Sequence, residues 1–327
     1  MGNSAPGLAL RTDKYMPKSV VVITGATRGI GKGLALRYAQ RGASLVLAAR
    51  SKECLEETKR ECVQLGAAGC LVVPTDVTNE QACKYLIKAA VEAFNRIDVL
   101  ILNAGVSAHF PFSEFADMNI FRRLFDVNFF GYVHCTKHAL PHLKRSKGLI
   151  VVISSVSGEI GLPLRSAYCS SKFAVTGFFE ALRMELEGQV DVTICCPPSV
   201  RTEMRRYQLL PECKALDGAD VYLKGGKDIS NTSETANTAE AAAAETSEGG
   251  AQADANEPTA DNATEYAEDS NKTDRRMPVD VCVDYILKAA DKRARKVMFP
   301  LYSYLAVYIR PLLPGIVDPF IKRAAKL

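Results

Sequence analysis

The chain has no apolar run long enough to cross a bilayer. Its best candidate, the stretch 297–309, falls short of the roughly 20 residues a spanning helix needs, and Arg310 and three prolines follow it. No signal peptide is legible, and the start Met1-Gly-Asn-Ser-Ala-Pro6 lacks the Ser or Thr that myristoylation wants at its sixth position. Histidine is scarce. The four that exist (His109, His134, His138, His142) come without an HExxH pattern. His134, His138 and His142 share a helix face, yet no cysteine partner accompanies them, so no metal site is expected. Ten cysteines lie scattered without metal-ligand spacing, two of them adjacent at Cys195-Cys196. That usage reads as a reduced intracellular protein and excludes a disulfide scaffold. The net charge is +4, and no nucleic-acid partner is expected.

Large apolar residues are also sparse between positions 211 and 274. This stretch is rich in Ala, Thr, Asn, Glu and Gly, and holds 15 acids against 4 basic residues. Such a composition buries too little surface to offset the entropy of ordering, so a disordered insert is expected. Its net charge of −11 leaves the rest of the chain at about +15. A long expansion of a surface loop is the plain reading; a segment that screens the basic body or recruits a partner is the sharper one. Three glycosylation sequons, Asn231, Asn262 and Asn271, fall inside it and matter only in a secreted protein.

What is present is alternation. Short β-branched runs at 19–24, 44–48, 70–74, 98–102, 148–153 and 190–195 read as buried strands, with 296–299 as a short seventh. Helical patterns fall between them, at about 29–40, 52–65 and 79–95 among others, with Thr78 or Asn79 able to cap the last. This predicts an α/β fold, a doubly wound Rossmann-type parallel sheet of about seven strands in one domain. The expected boundaries are a tail at 1–16, a core at 17–210, the insert at 211–274, a return to the core at 275–300 and an amphipathic segment at 301–327. In such sheets ligands bind beyond the carboxyl ends of the strands. Gly25, Asp76, Asn103 and Ser155 all fall at such ends.

The first strand is followed by Gly25-Ala-Thr-Arg-Gly29-Ile-Gly31 and then a helix. Glycines there permit a tight turn and close approach of a pyrophosphate, and the helix N-terminus supplies free N–H groups. After the second strand stands Ala48-Ala49-Arg50-Ser51, with no acid to take the ribose hydroxyls of NAD. Arg50, with Arg28 as a second cation, suits the 2′-phosphate of NADP(H).

Tyr168 and Lys172 stand four residues apart, on one face of a predicted helix. Ser155 closes the apolar run before them. A cation beside the phenol favours the phenolate. A serine hydroxyl can hold the substrate oxygen while the phenol moves a proton, which is acid–base chemistry on an alcohol or a ketone. Cys169, beside the tyrosine, suggests a thiol-sensitive site.

These residues together resemble the short-chain dehydrogenase/reductase family, over about 17–207 and again over 277–300. The run Thr24–Gly31, Asp76, Asn103-Ala104-Gly105, Asn128, Ser155, Tyr168, Lys172 and Pro197 carry the likeness. The resemblance implies that Tyr168 is the general acid/base and that Ser155 orients the carbonyl. Lys172 would bind the nicotinamide ribose and lower the tyrosine pKa, and Asn128 would hold a water of a proton relay. Cofactor contacts are implied for Gly25, Thr27, Arg28, Gly29, Ile30, Gly31, Arg50, Asp76, Asn103, Ala104, Gly105, Tyr168 and Lys172, and carboxamide contacts for Val200 and Thr202. Two positions depart from the pattern. Pro198 replaces a glycine after the sixth strand, and Leu102 stands where a second asparagine is common.

Within the family, the runs 160–168, 178–185 and 305–315 resemble the membrane-associated lipid and steroid reductases. The nearest likeness is to acyl/alkyl dihydroxyacetone phosphate reductases. The 3-ketosphinganine reductases and 11β-hydroxysteroid dehydrogenases are less near. The resemblance therefore implies NADPH-dependent reduction of a ketone on a lipid-like substrate, 1-acyl- or 1-alkyl-dihydroxyacetone phosphate first, in a homodimer or homotetramer. The alternatives are a steroid/retinoid dehydrogenase or a 3-ketosphinganine reductase and, from another class, a catalytically silent NADP(H)-binding scaffold. The end Ala325-Lys-Leu327 is a close variant of the peroxisomal address, which points to an import receptor and to a peroxisome or glycosome. The segment 301–323, with its tyrosines and Lys322-Arg323, is expected to lie on a membrane surface or to pack against protein.

Overall fold

Strands that are apolar on both faces need cover on both sides, and the computed structural model of the chain shows how they obtain it. The structure describes residues 19–205, 208–209, 276–300 and 302–325. The expected N-terminal tail, the insert at 211–274 with its sequons, and Lys326-Leu327 of the address lie outside the described residues.

The first half runs β1 (Val20–Thr24), α1 (Gly29–Gln40), β2 (Ser44–Ala49), α2 (Lys52–Gln64), β3 (Gly69–Pro74), α3 (Glu80–Phe94) and β4 (Val99–Leu102). Then come α4 (Asn119–Phe125), a π-helical turn at Asp126–Phe130, α5 (Gly131–Ser146), β5 (Leu149–Ile153), α6 (Ser166–Glu185) and β6 (Asp191–Cys196). The chain returns as α7 (Val279–Asp291), β7 (Lys296–Met298), α8 (Tyr302–Ile309) and α9 (Pro314–Ala325). The helix starts carry the signals the residues offer. Ser51 accepts a hydrogen bond from Cys54 N at 3.2 Å, and Asn79 accepts one from Ala82 N at 3.1 Å. Thr78 is not the cap; it donates instead to Asp76.

All seven strands are parallel, in the order β3-β2-β1-β4-β5-β6-β7. Side chains alternate between two cores. Val21, Ile23, Leu45, Leu47 and Val151 face one side, where α1, α2 and α7 cover them. Val22, Val46, Leu100, Ile150 and Val152 face the other, under α3, α5 and α6. The chain moves outward from β1 to β3 and then jumps back to β4. The crevice between the carboxyl ends of β1 and β4 is the switch point where a ligand finds room.

A buried carboxylate locks the opposite end of these two strands. Asp98, only 1% exposed, accepts from Val20 N at 2.9 Å and from Arg96 Nε and Nη2 at 3.0 and 2.6 Å. Its own backbone N–H donates to Val20 O, and its carbonyl accepts from Leu149 N. Three strands therefore meet at one residue.

The segment expected to be amphipathic is two helices with two-sided character. Ser303 of α8 is buried, and Tyr304 and Val307 pack on the core. Arg310 follows α8 and donates to Asp318 at 2.7 Å and to the Gly161 carbonyl at 3.0 Å, which ties α9 to the loop after β5. Leu305, Tyr308, Leu312, Leu313 and Ile316 are exposed. No described helix is long and apolar enough to cross a membrane.

Replacing Asp98 with alanine leaves the Val20 N–H buried without an acceptor and removes the partner of Arg96. A loss of about 2–4 kcal/mol is expected in urea denaturation. A loss under about 0.5 kcal/mol would show that the sheet does not need this clamp.

Candidate active site

The turn after β1 is shaped by crowding. Gly25 and Gly29 have φ of +67° and +53°, in the left-handed region open to glycine. A Cβ on Gly31 would lie 2.2 Å from the Gly25 carbonyl oxygen and 2.4 Å from Asn103 Nδ2. Asn103 is what makes the space so tight. Its Nδ2 donates to the carbonyls of Thr24 and Gly25, both at 3.0 Å, while Thr24 Oγ1 accepts from the backbone N–H groups of Asn103 and Ala104. No side chain caps α1, so the N–H groups of its first turn face the crevice with their positive partial charge.

The crevice widens into a cavity of about 780 Å³. Gly25, Thr27, Arg28, Gly29 and Ile30 line it from the turn, Arg50 from β2, and Asp76 from the end of β3. Asn103, Ala104 and Gly105 line it after β4, and Val200 and Thr202 after β6. Ser155, Tyr168 and Lys172 close the group. Most of the predicted residues thus converge on this cavity, and Gly31 and Asn128 stand behind its wall. Gly31 does not line the cavity; it lets α1 approach Asn103. Asn128 does not line it either. Asn128 is fully buried, accepts from Val106 N at 2.9 Å, and donates to Val106 O and Ser171 Oγ, both at 3.0 Å. Both amide protons are committed, so its side chain ties the segment after β4 to α6.

The loop after β6 absorbs its second proline without loss of anchoring. Val156 N donates to Pro197 O, and a short ladder with Met277 (Met277 N to Ser199 O, Arg201 N to Met277 O) fixes the run that carries Val200. Thr202 lies against Gly29: a Cβ on that glycine would stand 3.1 Å from Thr202 Cγ2. Two sides of the crevice therefore meet there.

Around Tyr168 the electrostatics differ from expectation. The phenol is buried, and burial pushes its pKa above the ordinary 10.0, opposed first by the charge of Arg165 and then by a hydrogen bond from Ser155. Lys172 is not the cation that acts most on it. The Lys172 ammonium donates to Ile153 O at 2.9 Å, lies 5.2 Å from the ring centroid of Tyr132 and 6.0 Å from that of Tyr168, and is lowered by burial from 10.5 to about 8. Tyr132 escaped the sequence reading. It is fully buried and donates its hydroxyl to the same Ile153 carbonyl at 3.1 Å. Its place four residues after Asn128, on the same helical run, was the available signal. Arg165, Arg123 and His109, which also line the cavity, escaped too. Cys169 is buried, and that burial raises its thiol pKa.

The set fits a nicotinamide dinucleotide: an uncapped helix end, a turn with no room for Cβ atoms, cations at Arg28 and Arg50, and a Ser–Tyr–Lys group beyond. The short chain dehydrogenase family pattern matches residues 19–211. The chain belongs to the short chain dehydrogenase family. Among its relatives, an 11-beta-hydroxysteroid dehydrogenase of Pinus massoniana is 40% identical over 197 residues, which is 60% of this chain and 55% of that protein. The 11-beta-hydroxysteroid dehydrogenase-like 3 of Arabidopsis thaliana is 41% identical over 206 residues, 63% of this chain and 65% of its own length. The chain thus spans less than two thirds of these relatives. Among solved structures, an alcohol dehydrogenase of Thermococcus sibiricus complexed with 5-hydroxy-NADP has a TM-score of 0.55 at 29% identity, covering 59% of this chain and 86% of that one. A short chain dehydrogenase/reductase of Burkholderia phymatum in complex with NAD shares the fold over 91% of this chain and 95% of its own, with a TM-score of 0.67 at 24% identity.

The buried ammonium costs the family fold stability. From pH 8 to 10.5 the unfolded chain binds more protons at Lys172 than the folded one, so stability rises with pH across that window and the full cost is present below pH 8. Lys172→Met is therefore expected to be more stable than wild type by about 1–3 kcal/mol at pH 7, an advantage that shrinks toward pH 10.5. Denaturant titrations at both pH values measure it. A variant less stable at pH 7 would show that the Ile153 hydrogen bond and the Tyr132 ring outweigh desolvation.

Proposed function

We propose that this protein is an NADPH-dependent oxidoreductase that reduces a ketone on a lipid-like substrate. The observation that carries the acid–base reading is the placement of Ser155, Tyr168 and Lys172 in one cavity, where burial raises the Tyr168 phenol pKa and so favours its proton-donating form. A bound nicotinamide would supply the hydride. Ser155 would turn its hydroxyl to the carbonyl oxygen, and Tyr168 would give that oxygen its proton. Lys172, fixed beneath both by Ile153, would hold positive charge where the phenolate develops. Asn128 would keep the segment after β4 and the first turns of α6 in register through Val106 and Ser171.

Arg28 and Arg50 support the phosphorylated cofactor, since both line the cavity beside an uncapped helix end. An apolar wall of Leu162, Pro163, Met204, Ala306 and Ile321 supports a hydrophobic substrate. The resemblance favours 1-acyl- or 1-alkyl-dihydroxyacetone phosphate. A second reading, oxidation or reduction at a steroid position, is favoured by the names of the plant relatives.

Cofactor oxidation by the purified full chain against palmitoyl-dihydroxyacetone phosphate, 3-ketosphinganine and a steroid ketone tests the reading. Tyr168→Phe is expected to lower kcat by about 10²–10⁴-fold while NADPH binding persists. Turnover equal to wild type would remove Tyr168 as the proton donor, and no turnover of any ketone by wild type would leave only the scaffold. In the same assay, Arg50→Ala is expected to reduce the preference for NADPH over NADH by about tenfold. An unchanged ratio would remove Arg50 from the phosphate site.

A further inference from the structure

Three side chains on α6 and its cap form a stripe. Arg165 immediately precedes α6, Tyr168 stands three positions on and Lys172 four beyond that, a spacing that places all three along one helix face. All three line the same cavity. The stripe is ordered by depth. Lys172 is 3% exposed and reaches back to Ile153 at the end of β5, Tyr168 is 7% exposed, and Arg165 is half-buried at the outer end. Leu162 and Pro163 continue the wall on the Arg165 side.

Most neighbouring cations already have carboxylate or carbonyl partners. Lys296 is held by Glu159 and Glu180, and Arg310 by Asp318 and Gly161. Arg165 differs. Among the described residues its guanidinium meets no carboxylate and no hydrogen-bond acceptor, and only its backbone carbonyl is engaged, by Cys169 N at 2.7 Å. Arg165 lines the same cavity as Tyr168, three positions before it, and its charge lowers the pKa of both Tyr168 and Cys169 against the effect of burial. A planar, permanently charged fork inside a cavity is built to take two oxygens of one anion. The acids on the cavity wall do not answer it: Asp76 is bonded to Thr78, across the site at the end of β3, and Glu203 is exposed in the loop after β6.

We propose that Arg165 is a specificity-determining residue that binds an anionic group of the substrate, a phosphate or a carboxylate, within a few bonds of the carbonyl held by Ser155 and Tyr168. This rests on the ketone-reductase reading and narrows it to ketones that carry charge near the reacting carbon. The apolar wall takes the remainder of the molecule. A neutral polycyclic ketone fills the wall and leaves the guanidinium unanswered, so it is the poorer substrate.

The test uses a matched pair that differs only in charge, palmitoyl-dihydroxyacetone phosphate and its dephosphorylated form, with purified full-length protein and NADPH. Wild type is expected to favour the phosphorylated ketone by about tenfold or more in kcat/KM, the range of one charge-assisted bidentate contact. In Arg165→Gln that ratio falls towards one, with the loss seated in KM of the charged ketone, and Arg165→Lys restores part of it. An effect that Arg165 exerts only through Tyr168 changes both ketones alike and leaves the ratio intact, and that result overturns the proposal. So does a wild-type ratio near one while the neutral ketone turns over through Tyr168, an outcome that spares the reductase reading. If neither ketone turns over, calorimetry with palmitoyl-glycerol 3-phosphate in the presence of NADP+ decides. Binding to wild type that weakens about tenfold in Arg165→Gln sustains the anion site even as the reductase reading fails, and equal or absent binding removes it. Thermal melts of each variant exclude misfolding as the cause.

Discussion

Lys172 Nζ reaches the Ile153 carbonyl at 2.9 Å, and the Tyr132 hydroxyl reaches the same oxygen at 3.1 Å. That oxygen stands at the carboxyl end of β5, where the ladder to β6 closes with Ile153 opposite Cys195. The central sheet, α5 and α6 are thereby joined at one atom. A buried ammonium is unfavourable by itself, as its depressed pKa shows. It persists because the sheet fixes an acceptor for it and α5 sets an aromatic face beside it. Ser155, two residues after Ile153, and Tyr168, one helical turn before Lys172, flank that arrangement in the chain.

The same logic of fixed strand ends organises the other wall. Thr24 and Asn103 close β1 and β4, and their mutual hydrogen bonds hold the glycine turn so tightly that Gly31 has no room for a side chain. Asn128 repeats the device one layer out, bonding both backbone groups of Val106 and the hydroxyl of Ser171. The asparagines in this site thus shape backbone, and the glycines accept the shape. The surface lining the cavity includes helix-end residues, arginines and the Ser–Tyr–Lys group.

At the outer rim the structure turns from polar to apolar. Arg310 fastens α9 to the loop after β5 through Asp318 and Gly161, which brings Ile321 and Ala306 to the cavity. The far faces of α8 and α9 leave Leu305, Leu312, Leu313 and Ile316 in solvent. Two helices therefore present apolar surface both to a substrate and outward. Arg165, at the cap of α6, lines the same cavity as these apolar residues.

Much of this was legible in the residues. The two-faced apolar runs predicted seven parallel strands, because only a sheet covered on both sides buries such runs. The glycine turn, Arg50, Ser155, Tyr168 and Lys172 were legible because strand ends, helix starts and i to i+4 spacing are local rules. What the sequence could not decide was where each side chain spends its hydrogen bonds. Asn103 and Asn128 are polar residues at strand and helix ends, a pattern compatible with ligand contact or with backbone support. Only the tertiary contacts, made across 79 and 22 positions of chain to Thr24 and Val106, show that both support backbone. The charges followed the same division. The sequence by itself determined that Lys172 stands beside Tyr168, but burial, Tyr132 and Ile153 decided how its ammonium is held, and the fold added the charge of Arg165 to those acting on the phenol. Desolvation depends on every element packed around a group, and no local pattern records it.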